Sequence, residues 1–117
     1  MVKTHSAKAK GRRLQQEVRD KLIEVSQLHP DDIRSTPMGS SGEDIMLSSA
    51  ARSKFPWSIE CKNVEKFSIW PAIEQARANA KEHTPVVVFT KNHESTQISM
   101  PFDYFMDIYK FYLENNK

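Results

Sequence analysis

The order of segments along the chain predicts an α/β domain with a central mixed β-sheet flanked by helices. Residues 10–28 repeat Leu14, Val18, Leu22, Val25 and Leu28 at helical spacing. Val86-Val87-Val88-Phe89 is a continuous apolar run, the pattern of an interior strand covered on both faces. Between them, Asp44 to Lys62 reads as two strands joined by a loop. The second alternates, with Trp57, Ile59 and Cys61 pointing one way and Ser58, Glu60 and Lys62 the other.

The remaining elements follow from local chemistry. His29-Pro30-Asp31-Asp32 breaks the first helix. Ile33 to Thr36 is a short strand or an extended linker. Pro37 to Gly42, with two glycines and two serines, is a loop whose backbone can approach another group closely, a phosphate for example; a hairpin turn is the plainer reading. Ser48 to Pro56 is a loop with room for a helical turn, where Arg52 and Lys54 are either phosphate contacts or ordinary surface. A helix is expected over 68–81, with Pro71 in its first turn. Its small face (Ala72, Ala76, Asn79) suits packing on a sheet, and its larger one (Ile69, Trp70, Ile73, Ala80) suits a neighbour or a second subunit. Thr84-Pro85 closes that segment. Lys91 to Ser95 is a turn, 96–100 a strand nearer an edge, and 102–113 a last helix rich in aromatics, the mark of core or oligomer contact.

At 117 residues, 38% hydrophobic and 27% charged, the chain suits one soluble globular domain. No apolar run approaches the roughly 20 residues of a membrane span, so no membrane partner is expected. The basic start is followed by no apolar segment and does not read as a secretory signal. The single cysteine excludes an internal disulfide, and His5, His29, His83 and His93 lack zinc-type spacing with it. A reduced, cytoplasmic setting is expected. The net charge of +2 says little, but Lys3, Lys8, Lys10, Arg12 and Arg13 all precede the first acid, Glu17. Such an arm suits a polyanion such as nucleic acid, or is simply a solvated terminus. The expected division is a flexible basic arm over 1–9 and a single domain over 10–117.

The chemistry gathers around Glu60 and Lys62, two residues apart on one strand face. Asp44 on the adjacent strand brings a second carboxylate. Two carboxylates hold a hard divalent cation through oxygen, and a lysine beside them stabilises charge, an outline that suits phosphodiester cleavage. A surface ion pair without function is the plain alternative for Glu60 and Lys62. Glu17, at the margin of the apolar stripe, either leans into a cleft or pairs with Arg13 or Lys21 on the helix surface. Cys61 points away from Glu60 and reads as a core residue.

Taken together, Glu17 on a helix, Gly42-x-Asp44 at a strand start, then Glu60-Cys61-Lys62 and a helix resemble the PD-(D/E)XK nuclease superfamily. Lys10 to Glu17, the loop Arg34 to Gly39, and Ile59 to Asn63 are similar to the phage-encoded Holliday junction resolvases and endonuclease I-type enzymes. Glu43 stands where the name-giving proline would precede Asp44. The resemblance implies a restriction-endonuclease-like core, in the order α-β-β-β-α-β, followed here by a strand and a C-terminal helix. It implies a catalytic set of Glu17, Asp44, Glu60 and Lys62, with Gln75 as a supporting glutamine. Asp44, Glu60, the Cys61 carbonyl and Glu17 would hold Mg²⁺, with Mn²⁺ able to substitute. DNA contacts would come from Lys8, Lys10, Arg12, Arg13, Arg34, Ser35, Ser41 and Asn63. The implied substrate is branched DNA, and paired cuts on a two-fold symmetric junction imply a homodimer acting in the cytoplasm, that of the host if the gene is a phage's. A sequence-specific or nicking nuclease on the same fold, and a non-catalytic DNA-binding module, are the alternatives.

Overall fold

The computed structural model describes the backbone of residues 3–37, 39–40 and 42–116. Helix α1 runs from Lys3 to Ser26. It starts at Lys3 rather than Lys10, so residues 3–9 of the expected flexible arm continue the helix. Their alanines and lysines are good helix formers and contain no breaker. The helix ends where Gln27 takes a left-handed conformation (φ 61°) and its N–H bonds back to the Ile23 carbonyl. Leu14, Val18 and Leu22 are buried as the spacing predicts. Val25 is not: it lies in the last turn before the chain reverses and faces solvent, while Ile23 and Leu28 pack against the core instead.

A 3-10 turn at Pro30–Asp32 leads into β1 (Ile33–Ser35), which pairs antiparallel with β2 (Ile45–Leu47), Ile33 opposite Leu47 and Ser35 opposite Ile45. The predicted helical turn is α2 (Ser49–Lys54), capped by the Ser48 hydroxyl, which accepts from the Ala51 N–H at 3.1 Å. Strand β3 (Trp57–Asn63) then runs parallel to β4 (Thr84–Thr90) through helix α3 (Ile69–Ala80). Thr84-Pro85, read from sequence as a break, forms the first two residues of β4. Strand β5 (Gln97–Ser99) closes the far edge antiparallel to β4.

The architecture is α/β, with one correction to the single mixed sheet that was expected. Strands β3, β4 and β5 form a three-stranded mixed sheet, and β1 and β2 form a separate antiparallel pair. The two meet where the Asp44 N–H bonds to the Ile59 carbonyl (3.0 Å), and there the backbone ladder stops.

Two apolar layers sandwich the larger sheet. On one face Ile59, Cys61, Val86 and Val88 pack with Leu14, Val18 and Leu22 of α1 and with Ile33 and Ile45 of the small pair. On the other, Val87 packs against Ala72 and Ala76 of α3, flanked by Phe67, Ile73 and Phe89. Alanines let α3 lie close to the sheet; Ala80 belongs with them, while Trp70 is 68% exposed. Helix α4 (Phe102–Asn115) is outside both layers. Its expected core role does not hold, for all its residues are exposed but one: the half-buried Tyr104, whose hydroxyl accepts from Trp57 Nε1 at 2.6 Å.

The close α3–sheet contact sets a test. Ala76→Leu forces a branched side chain between α3 and Val87, and urea unfolding should show a loss of about 1–3 kcal/mol. Ala78→Leu, on the exposed side, should change stability by less than about 0.5 kcal/mol.

Candidate functional site

Asp44 is placed by the backbone around it. Its carbonyl accepts from the Thr36 N–H (2.9 Å) and its N–H donates to the Ile59 carbonyl. Its carboxylate then does what a further strand residue would have done: Oδ2 accepts from the Cys61 N–H at 2.7 Å. The backbone polar groups of Ile59 and Cys61 therefore face Asp44, and those of Ser58, Glu60 and Lys62 face β4, because alternate residues of a strand address opposite edges. The Cys61 carbonyl shares the edge to which the Asp44 carboxylate is bound.

Glu60 is the next residue toward the sheet. It lies opposite Val87 on the α3 face and is only 3% exposed. Lys62, two residues on and half-buried, brings Nζ to 3.6 Å from Glu60 Oε2. The ammonium pairs with Glu60 and acts on Asp44 only through its field. Burial, and then the negative charge of Asp44, push the Glu60 carboxyl up to about 7, against the pull of Lys62. Burial raises Asp44 as well, opposed by its bond to the Cys61 N–H and by Lys62. The Cys61 thiol is buried in the α1-side core and held protonated by burial and by the surrounding acids, which fits a core residue and not a nucleophile.

Asp44, Glu60, the Cys61 carbonyl and Lys62 thus come together. Other expected members do not. Glu17 sits on α1, across β3 from Glu60, exposed, with Oε2 accepting from the Thr96 hydroxyl at 2.8 Å. Its charge helps to hold the Cys61 thiol protonated. Among the described residues no three His, Cys, Asp or Glu side chains are grouped closely enough to hold a metal ion. Gln75 is on the solvent side of α3, because the alanine face takes the sheet contact.

The expected DNA contacts divide in the same way. Lys8, Arg12 and Arg13 are exposed along α1. Lys10 is instead half-buried, with Nζ 3.0 Å from Glu65 Oε2, and its carbonyl accepts from Asn63 Nδ2 at 2.9 Å. That pair pins α1 beside the end of β3, just past Lys62. The Ser35 hydroxyl donates to Gln15 Oε1 at 2.5 Å, and Arg34 is exposed with Nη2 3.6 Å from Asp31. Ser41 lies outside the described residues. Arg52 is no phosphate ligand: it bridges Glu43 and the Trp57 carbonyl, tying the loop before Asp44 to the start of β3.

One supporting residue and one supporting ion pair escaped the sequence reading. Gln15 is buried against Ser35, and its only signal was a polar residue next to Leu14 on the apolar arc of α1. The Glu43–Arg52 pair left no signal, because the two residues are linked only by the path of the loop.

Oxygen donors of this kind fit a hard cation. The Asp44 carboxylate, the Glu60 carboxylate and the Cys61 carbonyl are the residues that could hold one, with waters completing its shell.

The raised Glu60 carboxyl makes stability depend on pH. With the folded value near 7 and the ordinary value 4.5, Glu60 favours the fold fully below pH 4.5 and loses that contribution as pH rises through 7. Glu60→Gln should therefore raise the melting temperature of the metal-free protein at pH 8, by at least about 4 °C, and have little effect at pH 4.5. Thermal unfolding at the two pH values checks it; an equal effect at both would contradict the buried, ionising Glu60.

Comparison with known proteins brings no match: no family model, no curated protein and no solved structure is significantly similar to this chain.

Proposed function

We propose that the chain is a Mg²⁺-dependent, structure-selective DNA endonuclease with a restriction-endonuclease-like core, cutting Holliday junctions or related branched DNA. The observation that carries this reading is the Asp44 carboxylate fixed on the Cys61 N–H, beside the buried Glu60 with Lys62 at 3.6 Å. Two acids and one amine leave a local excess of negative charge away from bulk water. A divalent cation would relieve it, and Mn²⁺ should replace Mg²⁺ there.

Each residue has a role. Asp44 presents an oxygen from a carboxylate that cannot swing, since its other oxygen is held by the backbone. Glu60 presents a second oxygen once ionised. Lys62 brings a positive charge to the phosphate as negative charge accumulates on it. A bound Mg²⁺ supplies Lewis acidity and a water of lowered pKa. The exposed Lys8, Arg12 and Arg13 lie on the part of α1 that Lys10 and Asn63 hold against the end of β3, next to Lys62. They suit phosphate contacts, which position a duplex without reading its sequence. Paired cuts in a junction require two such sites, hence a homodimer.

The deciding experiment incubates the protein with a four-way junction, a linear duplex and a single strand, with and without Mg²⁺. Cleavage of the junction only with the metal is expected. Glu60→Ala and Lys62→Ala should each reduce cleavage at least about 100-fold while binding persists; unchanged cleavage would remove these residues from the site. Preference for one duplex sequence over the junction would favour a restriction-type enzyme, and binding without any cleavage a non-catalytic module. Arg12→Ala with Arg13→Ala should lower the slope of log affinity against log salt by about 2.

A further inference from the structure

Helix α4 carries an apolar stripe that the other described residues leave uncovered. Phe102, Met106, Tyr109 and Leu113 recur at helical spacing, with Phe105, Ile108 and Tyr112 beside them. Asp103, Asp107, Lys110 and Glu114 repeat the same spacing one residue later, so the charges lie about 100° further round the helix. This is the pattern of a helix that buries one face. Tyr104, its one half-buried residue, projects from the opposite side to Phe102 and bonds Trp57. The helix is therefore moored by its back; Phe102 borders the groove beside α3, and the stripe beyond it faces solvent.

We infer that α4 is the dimer interface: the stripes of two copies pack antiparallel about a two-fold axis near Tyr109. Area is the first argument. The large apolar side chains of α4 are between 39% and 74% exposed. At about 200 Å² each, the seven of the stripe present about 700 Å², Phe111 lying on the Tyr104 side. That exceeds the roughly 300–600 Å² of the largest patch on an ordinary monomer, and is close to the roughly 800 Å² that each partner contributes to a stable interface.

Shape is the second argument. A groove of about 230 Å³ lies at the base of α4, lined by Trp70, Ile73, Met100 and Phe102 among others. In an antiparallel pair the far end of one helix, with Tyr112 and Leu113, arrives over the base of the other. One chain thus carries both the projection and the recess, as an isologous contact requires. Phe105, Tyr109 and Tyr112 already form a line of rings, with centroids 6.2 and 5.5 Å apart, that presents a preordered face.

Charge argues against other occupants. The polar side of α4 has three acids and one lysine, whereas helices that lie on anionic membranes carry lysine and arginine there. The same acids repel a nucleic acid. The inference deepens the proposed function, which needs two sites, but it stands on the apolar surface and is tested without DNA or metal.

Sedimentation equilibrium of the full chain, from about 1 to 100 µM, should give the mass of a dimer. Tyr109→Glu should weaken association by at least about 30-fold, with unchanged circular dichroism and thermal unfolding of the monomer. A Tyr109→Cys chain should form a disulfide-linked dimer on mild oxidation, and a Phe102→Cys chain should not, because antiparallel packing brings only the helix centres together. A monomeric wild type at 100 µM, a Tyr109→Glu chain that associates as tightly as wild type, crosslinking at 102 in place of 109, or binding to phosphatidylserine vesicles by a monomer would each overturn it. Loss of nuclease activity would leave these masses unaltered, so the two readings fail separately.

Discussion

Where β2 and β3 separate, one side chain takes over from the backbone. The Asp44 N–H still pairs with the Ile59 carbonyl, but the next donor along β3, the Cys61 N–H, is met by the Asp44 carboxylate. An unpaired strand-edge N–H at this half-buried place would cost about 1–3 kcal/mol, and asparagine could meet it as well as aspartate. Asparagine would not add a second negative charge beside Glu60. The bond thus solves a problem of the fold with the one short side chain that also builds an anionic pocket, and it sets the geometry of everything near that pocket.

Stability alone does not account for the acids. Glu60 is buried opposite Val87, on the face where α3 packs through alanines, and a neutral residue would fit there without desolvation cost. Lys62 compensates one charge of the two. A buried ion pair seldom stabilises relative to an apolar substitute, and a carboxyl whose ionisation is shifted by burial plus a named neighbour is a candidate functional group. The Glu43–Arg52 pair shows the contrast a few residues away. There, acid and base balance, and Arg52 spends its remaining hydrogen bonds on the Trp57 carbonyl, holding a loop.

How much of this could be read from residues alone depended on whether the signal was periodic. The alternation from Trp57 to Lys62 and the stripe of Leu14, Val18 and Leu22 both appear as expected, because burial acts on every second or every third to fourth residue. The split of the sheet was not legible: it depends on a single hydrogen bond between residues far apart in the sequence. Lys10 and Asn63 look like members of a basic, polar surface, yet they form the latch between α1 and β3. Glu17 follows the same logic. Its place at the margin of the stripe was correct, but helix α1 covers the face of β3 opposite to Glu60, a matter of layer order that spacing along one helix does not contain. Val25 and the aromatics of α4 show that apolar periodicity says a face is to be covered, and not by what.

Strand β3 joins these features mechanically. Its first residue, Trp57, donates to Tyr104 and so moors α4; its last, Asn63, donates to the Lys10 carbonyl and so moors α1 with its exposed cations. Glu60 and Lys62 lie between. From Trp57 to Lys62 is five residues of extended chain, about 17 Å, backed on both faces by apolar layers that leave little room for flexing. Whatever packs on the stripe of α4 is thus joined to the acidic pocket through the Trp57–Tyr104 bond and this short strand. If that partner is a second copy, the same short strand, repeated about the two-fold axis, fixes the separation and relative direction of two pockets. Under the proposed function such a fixed separation would suit a branched polyanion, whose phosphates on different arms are spaced by the junction rather than by a sequence.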